Sequence, residues 1–245
     1  MKRKIKEAFY IGMLDILPLL RDPMLMVMIS LISFLPVMFM GLLGSGEMFV
    51  QSLIGAIVLT LFFGGIQVAG SVYFNKHWFR FQDIYVASPV SPVSYVAGLS
   101  ISTLIGSIPA VAIAIVILIF SWPVSAFGIL MVLIVAFVLW ISTIFLGFTI
   151  GLSSKNTRKV NTIPQVLGFV LGMIPPVYYP MDLLPGWLQP VAMLSPTTHA
   201  AQLAKFYAGL IEIPGWQIIV GWAYLAIFTM IMVLLAWRWG KWVDS

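Results

Sequence analysis

The charges of this chain fall into short islands separated by long uncharged stretches, and that spacing restricts the fold more than any motif does. Lys and Arg occur at Lys2, Arg3, Lys4, Lys6 and Arg21, then Lys76 and Arg80, then Lys155, Arg158 and Lys159, then Lys205, and finally Arg238 and Lys241. If each uncharged stretch crosses a bilayer, every second connection is cationic, and cationic connections stay on the cytoplasmic side. Only Lys205 breaks the alternation.

Composition agrees, because 61% hydrophobic against 9% charged residues is far from the roughly 25% charged of a soluble domain. The chain reads as an integral membrane protein. At about 20 apolar residues per crossing, its 245 residues hold six or so helices and no sizeable soluble domain. The absence of Cys excludes disulfides, thiolate metal sites and Cys nucleophiles. A net charge of +5 is what Lys and Arg facing anionic headgroups produce, and it calls for no nucleic acid.

The expected crossings are Met24 to Leu43, Phe49 to Tyr73, Val93 to Phe120 with a bend at Pro109, Val124 to Leu152, Thr162 to Tyr179 and Trp216 to Trp237. Asp22 and Pro23 suit a cap and first turn for the first of them. The uncharged run from Ile84 to Ser154 is too long for one crossing and breaks at Ser121-Trp122-Pro123. Trp237, Trp239 and Trp242 beside Arg238 and Lys241 make an interfacial anchor. An even number of crossings puts both termini on one side, and all of the 13 Lys and Arg except Lys205 fall on that side. Both termini are therefore expected in the cytoplasm, at the cell membrane. Met24 to Leu43 is too long for a signal core and lies behind a charged leader, so no cleaved signal peptide is expected.

The whole chain, 1–245, reads as one transmembrane domain with three appended parts. The leader, 1–22, places Ile5, Phe9, Gly12 and Ile16 near one helical face and is expected to lie along the inner membrane surface. The loop 75–92 is expected on the cytoplasmic side. The segment 180–213 carries Pro180, Pro185, Pro190 and Pro196, and backbone opened by so many prolines is costly in lipid. It is expected as a re-entrant or surface element on the outer side, with Ser195-Pro196 opening a short helix to about Tyr207 and Leu183 to Gln189 forming another piece lying flat.

The expected spans contain no Asp, Glu or His, the groups with which proton- and sodium-driven carriers work inside the bundle. His77 and His199 lie in loops on opposite sides and cannot share a metal. No HExxH, Gly-x-Ser-x-Gly or phosphate-binding loop occurs, so catalytic, metal and cofactor residues are expected to be absent, and a pump would need another polypeptide to hydrolyse nucleotide. The loop after the second crossing offers a place for that partner: Trp78, Phe81 and Tyr85 fall at helical spacing, with Lys76, Arg80 and Asp83 on another face. An interfacial helix resting on headgroups would give the same pattern. Gln67, Ser71, Ser107, Thr143 and Gln165 within spans either line a path or pair helix to helix. Gly147-x-x-x-Gly151 and Gly168-x-x-x-Gly172 permit close helix approach.

The inner loop ends in Val86-Ala87-Ser88-Pro89-Val90-Ser91, and Tyr179-Pro180-Met181-Asp182-Leu183-Leu184-Pro185 is followed by Trp187-Leu188-Gln189-Pro190 and Leu194-Ser195-Pro196-Thr197-Thr198-His199. With six crossings and cytoplasmic ends, this order resembles type-2 ABC transporter permeases, the exporter subunits related to daunorubicin-resistance and polysaccharide-export membrane proteins. The resemblance implies an all-α membrane protein in which Lys76 to Ala87 is a coupling helix seated on a separate ATPase subunit, two copies of which bind ATP and Mg. It implies short re-entrant helices on the outer side, including Pro180, Asp182, Pro185, Trp187, Pro196 and His199. A second copy of the chain or a related permease would complete the pathway. A channel or carrier working without ATP is the rival expectation.

Overall fold

Lipid offers no partner to a backbone N–H or C=O, so a chain this apolar must satisfy those groups within its own helices. A computed structural model describes residues 2–78 and 90–239, and no strand occurs among them. The helices are α1 (Lys2–Arg21), α2 (Pro23–Leu43), α3 (Gly46–His77), α4 (Pro92–Ser121), α5 (Ala126–Ser153), α6 (Thr157–Gly168), α7 (Gln189–Ala192), α8 (Pro196–Tyr207) and α9 (Gly215–Trp239). Their starts follow from local chemistry. Asp22 accepts from Leu25 N, Ser45 from Met48 N, Ser91 from Ser94 N, Ser125 from Gly128 N and Asn156 from Lys159 N, each answering an amide with no intrahelical partner. Pro23 and Pro92 occupy first turns, where no N–H is missed.

Four helices among the described residues are long and apolar enough to cross a bilayer: Gly46–His77, Val93–Ser121, Ala126–Ser153 and Gly215–Arg238. They coincide with the second, third, fourth and sixth expected crossings. α2 follows the first closely, and its residues Ser33–Leu43 form a further apolar helix stretch. α4 runs without interruption through Pro109.

The fifth expected crossing differs at both ends. Its helix starts at Thr157, because Asn156 caps it, and passes from α6 into a π turn, Phe169–Met173, where Ile174 N reaches back to Phe169 O. It stops there, short of Tyr179. Pro175 and Pro176 have no N–H to give and their rings crowd the preceding turn, so the chain leaves the helix and wedges Val177 and Tyr178 into the core beside α2 and α3.

α3 is the centre of the bundle. Of its apolar window 78% is buried, against 22%, 44% and 11% for α4, α5 and α9. Leu53, Ile54, Ile57, Leu59 and Phe62 are all enclosed. α5 comes closest to it: a Cβ on Gly147 would stand 2.8 Å from the Ile66 carbonyl oxygen and 2.9 Å from that of Gly65, and Gly151 faces Ala69 and Val72 one turn on. Gly168 at the end of α6 and Gly172 in the π turn after it lie against the side chains of Phe63 and Leu59. All four glycines thus make contacts within this chain.

α1 does not stand apart from the bundle. It runs beside the first half of α4 and in the same direction: Glu7 meets Ser94, Ala8 and Ile11 meet Gly98, Asp15 meets Ser102, and Leu19 approaches Gly106. The packed face is Ala8, Ile11, Gly12 and Ile16, whereas Ile5 and Phe9 are exposed. Gly12 and Gly98 bring the two backbones together, and of the four residues expected on one face Gly12 and Ile16 pack on α4 while Ile5 and Phe9 do not.

Gly147→Ala forces a methyl onto two rigid carbonyls, and overpacking of this kind destabilises by about 1–3 kcal/mol. Thermal unfolding in detergent should show a lowered midpoint for it and none for Gly186→Ala, which has open space. Equal midpoints would contradict the close α3–α5 contact.

Candidate functional site

Two groups of polar side chains gather at opposite ends of α3. From Gln51 to Lys76 the helix rises about 38 Å at 1.5 Å per residue, so the groups are separated by the full length of the bundle.

At the Lys76 end, α3 is tied to three other helices. Asn75 Nδ2 donates to the Tyr95 hydroxyl of α4 at 3.3 Å, and the Tyr73 hydroxyl meets Thr157 Oγ1 of α6 at 3.4 Å. Ser71 and Ser102 both donate to Asp15 Oδ2, joining α3, α4 and α1 through one carboxylate. Burial raises the Asp15 pKa above its ordinary value, and the two hydroxyl donors oppose that rise. One turn further out, Ser94 donates to Glu7, which also pairs with Arg3 at 2.9 Å. The last turn of α3 stacks Tyr73 on His77 and Phe74 against Trp78, leaving Trp78 exposed.

Here the chain enters the expected coupling segment. Lys76 is half-buried and Trp78 projects outward. Arg80, Phe81, Asp83 and Tyr85 lie outside the described residues.

The other end is closed by the proline-rich segment. Pro180 to Pro190 forms a single 3-10 turn, Met181–Leu183, and then α7, with Asp182, Pro185 and Trp187 exposed. α8 starts at Pro196 as expected, but the Ser195 hydroxyl does not cap it. It donates instead to Leu171 O at 3.1 Å, and Thr197 donates to the same carbonyl, which Pro175 and Pro176, four and five residues on, leave without a helical donor. His199 bonds Met193 O through Nε2 at 2.8 Å and stacks on Tyr224 of α9 at 4.2 Å, a structural tie whose pKa is lowered by burial.

Lys205, the one cation outside the alternation, is 2% exposed. Its Nζ donates to Pro176 O at 3.2 Å and Tyr179 O at 2.9 Å, the carbonyls freed where the fifth helix ends. Burial lowers its pKa from 10.5 to about 7. Lys205 therefore acts as a pin for the irregular backbone rather than as part of the cationic pattern.

Of the polar residues within expected spans, Ser71 pairs with another helix, while Ser107 and Thr143 bond carbonyls of their own helices. Gln67 and Gln165, with Asn161, face a polar notch of about 210 Å³ between α3 and α6. Sequence reasoning passed over Asp15 and left Lys205 as an exception. Both had a signal. Asp15 interrupts the small and apolar stripe Ala8, Gly12, Leu19 at helical spacing, and Lys205 was the only island out of phase.

Helices of this length and apolarity, joined by a proline-rich partial element, define an α-helical integral membrane protein. A family profile for ABC-2 family transporter proteins matches residues 40–238, and the chain belongs to that family, whose members are membrane permeases of ABC transporters. The match leaves out α1 and most of α2. A search of curated proteins gave no match.

Lys205 binds fewer protons folded than unfolded between about pH 7 and its ordinary 10.5, so its contribution to stability is complete above that range and is lost as pH falls through about 7. Lys205→Met should lower stability by about 1–3 kcal/mol by stranding two carbonyls. The midpoint gap between wild type and variant in detergent should widen from pH 6.5 to pH 9; parallel curves would contradict the burial of this amine.

Proposed function

We propose that this chain is the permease subunit of an ATP-driven exporter, working as a two-fold pair with a second copy of itself or a related permease. Each permease receives work from one separate ATPase subunit, which binds the ATP and Mg, through the segment beginning at Lys76. The observation that carries this reading is the bracing at that end of α3. A push on the segment between His77 and Val90 is delivered at once to the end of α3 and the start of α4. The Asn75–Tyr95, Asp15–Ser71–Ser102 and Tyr73–Thr157 contacts pass it to α1 and α6.

Six crossings, counting α2 and the shortened fifth helix, put both termini in the cytoplasm and the proline-rich segment outside at the cell membrane. α1 then extends from the cytoplasmic end of the bundle along the inner half of α4, with Ile5, Phe9, Tyr10 and Leu14 on its free side. Gln67 of α3 and Asn161 and Gln165 of α6 would face the space a second permease encloses, a lining suited to an amphipathic cargo. Alternating access follows from rigid bundles shifting about that axis as the ATPases close.

The rival, an ATP-independent channel or carrier, predicts no stoichiometric ATPase. Trp78→Ala and Arg80→Glu should leave membrane insertion intact and reduce cargo-stimulated ATP hydrolysis of the purified complex by about tenfold, the effect expected of an anchor residue. Unchanged coupling in both variants would exclude this segment as the point of transmission. Because the chain has no Cys, Trp187→Cys gives a single reporter of orientation. An impermeant maleimide should label it in intact cells, and labelling only after lysis would invert the topology.

A further inference from the structure

α3 is enclosed by its neighbours with one exception. Between Met48 and Lys76 every residue is buried or half-buried except Gln67, which is exposed. Asn161 and Gln165, one turn apart on α6, are exposed beside it, and the three carboxamides line the same notch of about 210 Å³. Their side chains make no hydrogen bond among the described residues.

A carboxamide carries a carbonyl acceptor and two N–H donors, and hydrocarbon answers none of them. Depth takes the lipid headgroups out of reach. With Lys76 at headgroup level, Gln67 stands about 14 Å further in along the helix, and Gln165 stands about 10 Å inward of Arg158. A wet channel does not fit the surroundings either. Outward from Gln165 the exposed residues of this face are Phe169, Val170 and Met173, so the polar patch is an island in apolar surface. What such an island accepts is a second island like it. A two-fold contact sets the same patch on both partners, and the patch must then complement itself. Carboxamides do, because each donates and accepts, whereas Lys or Asp at these positions would face its own charge. One Asn within an apolar helix seam fixes partner and register in the same way.

We propose that this notch is the seam at which the chain pairs with a second copy of itself. In the nucleotide-free state Gln67, Asn161 and Gln165 bond the same three side chains across the two-fold axis and close the inner end of the space between the bundles. When the bundles part, the bonds break and the carboxamides become lining. The seam rests on the paired-permease reading and goes beyond it by choosing an identical partner over a related one.

The test uses the full chain, expressed in membranes as two differently tagged copies without added nucleotide. Because the chain has no Cys, Gln67→Cys in one copy can be combined with Gln67→Cys, Asn161→Cys or Gln165→Cys in the other. Oxidation by iodine should link the two tags in at least one combination, and Leu234→Cys, exposed on α9, should give no linked pair. Without oxidation, Gln67→Leu should cut recovery of the second tag in detergent by about tenfold, since two symmetry-related contacts are lost together. Gln67→Asn, which keeps the carboxamide, should restore most of it. Tags that copurify with no link at any of the three positions, and equally well in Gln67→Leu, would overturn the seam and leave the pair standing. Rapid labelling of unlinked Gln67→Cys by an impermeant maleimide would show a wet path in its place and refute the closure. Tags that never copurify, with a different permease recovered instead, would refute the identical partner and spare the transporter reading; recovery of no permease at all would overturn both.

Discussion

The structure depends on the enclosure of α3. A helix buried on nearly all sides in an apolar bundle gains little from hydrophobic transfer once it is in lipid, so its neighbours are held by close packing and interhelical hydrogen bonds. Gly147 and Gly151 let α5 reach its backbone, Gly168 and Gly172 lie against its Phe63 and Leu59 side chains, and Ser71 and Asn75 bond to α1 and α4. Because α3 touches each of these, its Lys76 end and its Gln51 end are parts of one rigid element. That gives an ABC-2 transporter family member a continuous body between the two ends of its bundle.

The two ends are built differently. At the Lys76 end the ties are side chain to side chain between regular helices, and they meet on a carboxylate, Asp15, whose charged form is disfavoured by burial. At the other end the side chains serve backbone. Lys205, Ser195 and Thr197 supply donors to carbonyls left open around Pro175-Pro176. Irregular backbone at membrane depth is tolerated only where protein or a polar cavity satisfies it, and here these side chains do so.

Most helix boundaries were legible in the sequence because the signals were local. Asp22-Pro23 and Ser121-Trp122-Pro123 mark ends through chemistry that acts within one turn, and Ser195-Pro196 opens α8 where the proline pattern places it. What escaped was non-local. The fifth helix was carried too far because Ile174 to Tyr179 is apolar, although Pro175-Pro176 forbids the helix. The α1 face was misjudged because hydrophobicity alone cannot separate a side meeting lipid from a side meeting α4. Lys205 acquires meaning only when carbonyls from a distant segment are brought beside it. The residues proposed for coupling, Arg80, Phe81, Asp83 and Tyr85, rest on the sequence alone.

The central claim is that mechanical work enters at the exposed end of α3. A single cysteine at Trp78, in a chain that otherwise has none, can be crosslinked by a short bifunctional maleimide to whatever protein sits within reach. The account predicts a crosslink to an ATP-hydrolysing subunit in equal copy number, with a yield that changes between nucleotide-free and ATP-bound states. A purified, transport-active preparation in which this position reacts with no ATPase in either state would contradict it.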